Sequence, residues 1–346
     1  MKKVLFLHPW VENLEDMLNY LKIQDPDFLR GLTWDERDPD IVFVSEHVYY
    51  RPSYMRILRR LYSGNRLFIF HGGECVYPDL NIFDYAIVYS RYLNEDDRII
   101  GIPEQLFFYS INFKPNDYST EEALRSLGSR EFCSFIYSNG NAHPMRDKTF
   151  YRISEYKMVS SLGRHLNNAG IQQGDDRKDW ASIFAKSIEL KAKYKFTIAF
   201  ENALFPGGTT EKLLTSFMAH TVPIYWGNPR IADYYNPDAF INVHDFANLD
   251  EVVERVRELD QDDHKWAEVL AQPWQTAEQK KRSEEDRERY LAFLRNVLTQ
   301  ENTQAFLRRP EGFHKQLYRN WYMRDFTLGS YYGRAVNKIR RMFNRK

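Results

Sequence analysis

The residues best suited to hold a negatively charged ligand fall in one stretch, KFTIAFENALFPGGTTEKLLTSFMAHTVPIYWGNP, residues 195–229. The apolar run Phe196 to Phe200 reads as a strand that ends at Glu201, and a loop containing Pro206, Gly207 and Gly208 leads directly into a helix over Thr210 to His220. Ligands of open α/β sheets bind at such carboxyl ends of strands. Thr209 or Thr210 is the expected N-cap, with Leu213, Leu214, Phe217 and Met218 on the buried face and Glu211 and Lys212 in the first turn. That turn offers unpaired backbone N–H groups and the positive end of the helix dipole. A lysine there disfavours the helix by roughly a few tenths of a kcal/mol, so an anion bound by both dipole and ammonium accounts for its place better than solvation does. Lys212 is therefore the expected contact to a diphosphate. Without the Gly-Gly loop and the strand-end carboxylate, Glu211 and Lys212 would read as ordinary solvated residues. A second cation, Arg146, follows the Asn-rich loop SNGNAHPMR, residues 138–146, where a guanidinium fork could reach phosphate oxygens.

The segment FENALFPGGTTEKLLTSFMAHTVPIYWG resembles the donor-site signature of the α-1,3/1,4-fucosyltransferases of glycosyltransferase family 10, bacterial type: F-E-N, eight residues, E-K, then V-P-I-Y-W-G. The similarity continues in NPDAFINVHDF, residues 236–246, in SNGNAHPMR, and more weakly in HGGECVYPDLNIFDYAI, residues 71–87. What the resemblance implies is an α/β fold of the GT-B type, two Rossmann-like domains with parallel sheets facing a cleft, and inverting transfer of L-fucose from GDP-fucose to a GlcNAc-type hydroxyl in α-1,3 or α-1,4 linkage. Arg146 and Lys212 would neutralise the donor diphosphate, Asn202 and Glu211 would hold sugar or ribose hydroxyls, and Tyr225 is a secondary candidate. The chain departs from the family pattern at Gly208, where a tyrosine is usual, and at Val76 and Tyr77, where a carboxylate and a small residue are usual. Another nucleotide-sugar donor, or a non-catalytic carbohydrate-binding protein on this fold, are the competing readings. The joint presence of Glu74, Arg146, Glu211 and Lys212 argues against the second.

An inverting transfer needs a carboxylate to take the acceptor hydroxyl's proton, while positive charge stabilises the departing nucleotide. Glu74 is the candidate, since it follows the apolar run Leu67 to Phe70 and the small pair Gly72-Gly73 and matches the family's G-E-x-x-x-P carboxylate. His71 ranks second, because a histidine closing a buried strand is more often structural. Metal-dependent transferases use an Asp-x-Asp pair under the diphosphate. This chain has Asp25-Pro26-Asp27, Asp38-Pro39-Asp40 and Asp260-Gln261-Asp262, all read as turn or helix-end residues and none at a strand's carboxyl end. No metal and no cofactor beyond the GDP-fucose co-substrate is expected.

Positioning these residues requires alternating strands and helices. Val4 to Leu7, Ile41 to Val44, Leu67 to Phe70 and Tyr85 to Tyr89 read as buried strands, and Tyr54, Ile57, Leu58, Leu61 and Tyr62 recur at helical spacing between two of them. That alternation predicts a parallel sheet. Ser119 to Arg130 reads as helix, Phe132 to Tyr137 and Val222 to Trp226 as strands, and Asp250 to Leu259 and Thr276 to Leu298 as surface helices with apolar stripes. The 346 residues divide into an acceptor-binding domain over 1–148, a donor-binding domain over 149–300 and C-terminal helices over 301–346. Equal numbers of basic and acidic side chains, 48 each, argue against a nucleic-acid partner. The apolar run near the start breaks at His8-Pro9, and no stretch reaches the ~20 apolar residues that span a bilayer, so a cytoplasmic protein is expected. The cysteines, Cys75 and Cys133, do not require a disulfide.

Residues 331–346 place six cations, Arg334, Lys338, Arg340, Arg341, Arg345 and Lys346, around Val336, Ile339, Met342 and Phe343. Such a basic amphipathic helix either packs on the protein or lies weakly on anionic lipid, and the second reading is preferred. Deleting 331–346 is expected to weaken sedimentation with phosphatidylserine vesicles and leave the melting temperature unchanged; unfolding on deletion would make the tail structural.

Overall fold

A computed structural model describes residues 1–23, 30–49, 51–62, 66–74, 76–93, 97–102, 118–170 and 180–305. The tail 331–346 and the pair Asp25-Pro26-Asp27 lie outside them. The chain forms two units, one built from 1–102 with 288–346 and the other from 103–287.

In the first unit, β1 (Lys2–Leu7), β2 (Leu32–Trp34), β3 (Ile41–Ser45), β4 (Leu67–His71), β5 (Tyr85–Val88) and β6 (Ile99–Gly101) form a parallel sheet in the order β2-β1-β3-β4-β5-β6. Every residue of β3, β4 and β5 is buried, as expected of parallel strands covered on both faces. Helix α1 (Leu14–Tyr20) starts where the Asn13 side chain accepts the Asp16 N–H. Helix α2 (Pro52–Leu61) has Pro at its start and buries Met55, Leu58 and Leu61, leaving Arg56, Arg59 and Arg60 exposed.

The second unit repeats the plan with β7 (Glu131–Phe135), β8 (Val159–Ser161), β9 (Tyr194–Phe200), β10 (Val222–Trp226) and β11 (Ile241–Asn242), parallel in the order β11-β10-β9-β7-β8. Its helices are α3 (Thr120–Ser126), opened by a Ser119/Glu122 capping box, α4 (Met145–Tyr156), α5 (Trp180–Lys191), α6 (Glu211–Met218), α7 (Leu249–Gln261), α8 (Asp263–Leu270) and the start of α9 (Ala277–Thr299). In both sheets the second strand lies to one side of the first and the third to the other. Each therefore has a topological switch point, between β1 and β3 and between β7 and β9. Crevices for ligands form at the carboxyl ends of such strand pairs.

The domain boundary differs from the expectation of 148. β7 pairs with β8 and β9, so Glu131–Phe135 belongs to the second sheet. The later part of α9 belongs to the first unit, where Tyr290, Leu294 and Val297 are buried, the Tyr290 hydroxyl donates to the Leu21 carbonyl and Lys2 bonds Asn302. The short strands β2, β6, β8 and β11 and helices α1, α4, α5 and α8 were not among the expected elements.

The second core is organised by Trp266, fully buried on α8, whose indole N–H donates to the Lys195 carbonyl at 3.1 Å while the Arg130 guanidinium lies 5.5 Å from its ring. Trp266→Ala is expected to cost about 3–5 kcal/mol. Urea denaturation followed by circular dichroism should register this as a lowered midpoint, and Trp266→Phe should lose less.

Candidate active site

At the carboxyl end of β9, Glu201 is 1% exposed, yet its carboxylate is fully engaged. One oxygen accepts the Thr210 N–H at 2.8 Å; the other accepts the Thr210 hydroxyl at 2.6 Å and lies 3.4 Å from the Lys212 ammonium. Lys212 also donates to the Thr210 hydroxyl at 2.7 Å and to Glu211 at 3.2 Å. Thr210 is the N-cap of α6, but its side chain makes no capping bond to the helix because it is committed to Glu201. The first-turn N–H groups that a threonine normally covers are thus not capped by it, beside an ammonium fixed in place. Burial pushes the Glu211 carboxyl up, but the Lys212 and Lys191 ammonium groups outweigh it and hold the group below its ordinary value. Below α6, buried Lys191 donates to the Lys212 carbonyl at 3.1 Å and to Thr215 Oγ1 at 2.7 Å, tying α5 to the helix.

The next residue, Asn202, turns to the other cation. Arg146, 1% exposed near the start of α4, donates through Nη1 to Asn202 Oδ1 at 3.1 Å and through Nη2 to the Asn139 carbonyl, with its guanidinium 4.2 Å above the Tyr137 ring. The Tyr137 hydroxyl accepts the Phe200 N–H at 2.6 Å. This is the β7/β9 switch point. The dipeptide Glu201-Asn202 joins the two expected cations, one through each side chain. Arg146 is held from three sides inside the loop, not extended from it.

Tyr225 is fully buried, its hydroxyl accepting the Asn228 N–H at 3.0 Å, so it shapes the loop after β10. A Cβ on Gly227 would lie 2.3 Å from Glu201 Cγ, which explains the glycine ending the V-P-I-Y-W-G run. His244 accepts the Gly227 N–H at 3.3 Å, and His143 stacks on Trp226 with ring centroids 4.6 Å apart. At Gly208 a Cβ would fall 2.1 Å from the Phe205 ring, so an aromatic side chain from three residues earlier occupies that position. Glu201, Tyr137, Asn139 and His244 escaped sequence reasoning as site residues; the signal for Glu201 was an acid closing an otherwise apolar strand.

In the first unit, Glu74 is exposed beyond the end of β4, after Gly72 and Gly73. His71 is fully buried against Phe6 and Tyr20, and burial pushes its imidazole down to about 3. A neutral, enclosed ring is poorly placed to take a proton from a ligand. At the β1/β3 switch point, burial likewise pushes His8 down to about 2 and His47 to about 4. The acidic pairs are committed elsewhere: Asp38 to Lys3 and Arg66, Asp40 to the Lys3 N–H, Asp260 to Lys157 and Lys195, and Asp262 to capping α8.

Two parallel-sheet units, one with a lysine-bearing helix N-terminus at its strand ends, define the GT-B architecture of nucleotide-sugar transferases. The C-terminal model of glycosyltransferase family 10 (fucosyltransferase) matches residues 112–306, more than half of the chain, and the protein belongs to this family. It is similar to a Helicobacter pylori α-(1,3)-fucosyltransferase, 29% identical over 223 residues that make up 55% of this chain and 44% of that protein. It is also similar to the human GDP-fucose protein O-fucosyltransferase 3, 27% identical over 191 residues, 54% of this chain and 38% of that one. The chain thus spans less than half the length of these relatives. Among solved structures, an α1,3-fucosyltransferase aligns with a TM-score of 0.66 at 26% identity, covering 87% of this chain and 90% of that one. The same kind of enzyme with GDP aligns at 0.67 and 25%, covering 89% and 93%.

Replacing Lys212 by Ala removes a charge-assisted bond of about 1.5–3 kcal/mol, so GDP affinity measured by titration calorimetry should fall roughly 10- to 100-fold, and the melting temperature should fall as well because the buried Glu201 carboxylate loses its cation. Arg146→Ala should weaken GDP binding and also lower the melting temperature, because it leaves Asn202 and the Asn139 carbonyl without their buried donor.

Proposed function

We propose that the protein transfers L-fucose from GDP-fucose to a hydroxyl of a GlcNAc-type glycan, in α-1,3 or α-1,4 linkage and with inversion at the anomeric carbon. The observation that carries the reading is the α6 terminus: its N-cap hydroxyl is drawn away by Glu201, and Lys212 is held beside the first turn. Such a terminus is suited to the diphosphate of a leaving nucleotide, where fixed positive charge stabilises what develops as the glycosidic bond breaks. Arg146 adds charge from beneath the β7/β9 switch point through Asn202.

Glu74 takes the acceptor proton as the acceptor oxygen attacks the sugar. With fixed cations at the diphosphate, the reaction needs no divalent metal. Family membership and similarity to an α1,3-fucosyltransferase with GDP support the donor assignment. Among the described residues no helix is long and apolar enough to cross a membrane, and the basic tail supports peripheral attachment to the inner face of the cell membrane.

Incubation with GDP-fucose and a GlcNAc-containing oligosaccharide, with and without EDTA, should yield GDP and fucosylated product at equal rates, whereas UDP-glucose should not turn over. Glu74→Gln should lose roughly 10² to 10⁴ in rate, the usual worth of a positioned base, with GDP-fucose affinity unchanged. Turnover of UDP-glucose, loss in EDTA restored by Mn²⁺, or a Glu74→Gln enzyme near wild-type rate would each overturn the corresponding part.

A further inference from the structure

Glu46 follows β3 at the β1/β3 switch point and is 6% exposed. One of its carboxylate oxygens accepts the Gly73 N–H at 3.1 Å, and the other lies 3.7 Å from His47 Nδ1. His47 is a weak counter-ion, because burial and the Arg51 charge keep its imidazole uncharged near neutral pH. Its Nδ1 is also 3.2 Å from the Ser45 hydroxyl, which itself donates to the Leu7 carbonyl. Among the described residues no lysine or arginine pairs with Glu46. A carboxylate enclosed without a cation is a poor stabiliser of a fold. Its placement calls for another explanation.

The geometry supplies one. The Gly73 N–H it accepts belongs to the residue immediately before Glu74, in the loop that follows β4. The approach is close: a Cβ on Gly73 would lie 3.3 Å from Glu46 Oε1 and 3.8 Å from the hydroxyls of Tyr20 and Tyr89. Exposed Glu74 therefore hangs from a backbone group gripped by a buried acid just beyond the neighbouring strand. A misplacement of about 1 Å in a reacting group can cost 10²-fold in rate.

We infer that Glu46 is a positioning residue, which fixes the Gly72-Gly73 turn through the Gly73 N–H and so sets where the Glu74 carboxylate meets the acceptor hydroxyl. The inference rests on Glu74 as the base.

The test measures kcat and KM for GDP-fucose and acceptor in Glu46→Ala, Glu46→Gln, Glu74→Gln and the Glu46→Ala/Glu74→Gln double variant. Glu46→Ala should lower kcat about 10- to 100-fold with the GDP-fucose KM unchanged. Glu46→Gln, whose amide oxygen can still accept the Gly73 N–H, should restore most of that rate. In the Glu74→Gln background Glu46→Ala should cost nothing more, as expected when one group acts only through the other. A wild-type kcat in Glu46→Ala, a Glu46→Gln variant as slow as Glu46→Ala, or multiplying losses in the double variant would overturn the inference. An active Glu74→Gln enzyme would remove the base assignment, and with it this role for Glu46, whereas an inactive Glu74→Gln beside a normal Glu46→Ala would remove the inference alone. If Glu46→Ala does not fold, Gly73→Ala disturbs the same contact with the acid intact; it should lower kcat with the GDP-fucose KM unchanged, and wild-type kcat there would also overturn the inference.

Discussion

The second unit is arranged around one constraint, a carboxylate buried at the end of its central strand. Taking Glu201 out of water would cost several kcal/mol if it were left alone, so its surroundings must answer both oxygens. They do so with the Thr210 N–H, the Thr210 hydroxyl and the Lys212 ammonium. Each answer has a structural price: the threonine no longer caps α6, the lysine is confined to the first turn, and Gly227 must lack a side chain to let Glu201 pass. An anion-receptive helix end is the by-product of satisfying a buried acid.

The donor segment could be read from sequence because its signals are local. A long apolar run, a Gly-Gly loop and an amphipathic helix lie within one stretch, and the strand Val222–Trp226 falls where the pattern puts it. Strands of two or three residues, such as β11 and β8, carry no periodicity of their own and exist only through pairing with β10 and β7. The domain boundary failed for a related reason, since nothing near Glu131 announces which sheet the strand will join. Arg146 was placed at the site, but not its enclosure by Asn139, Asn202 and Tyr137, which depends on loops from two strands meeting. Glu46 left only the faint trace of an acid just beyond a buried strand.

The two sheets share one strand order but differ in the electrical character of their switch points. Around β7 and β9 stand Arg146, bonded to Asn202, and Lys212, paired with the preceding residue Glu201, a setting for a multiply charged ligand. Around β1 and β3 the histidines are held uncharged, with Tyr20 and Trp10 packed against the His8 ring. The same strand order thus carries charged side chains at one switch point and mostly uncharged ones at the other.

The discontinuity of the first unit has a consequence for synthesis. Its sheet is complete once residue 102 has been made, yet the segment that seals it, with Tyr290, Leu294, Val297 and Asn302, is translated only after the whole of the second unit. At about 5–20 residues per second, the intervening stretch keeps the early sheet waiting roughly 10–40 s on the ribosome. The later-made half can finish folding first. During that interval the apolar surface destined for α9 is open to solvent and to chaperones, which makes the nascent chain, not the finished protein, the form most exposed to aggregation.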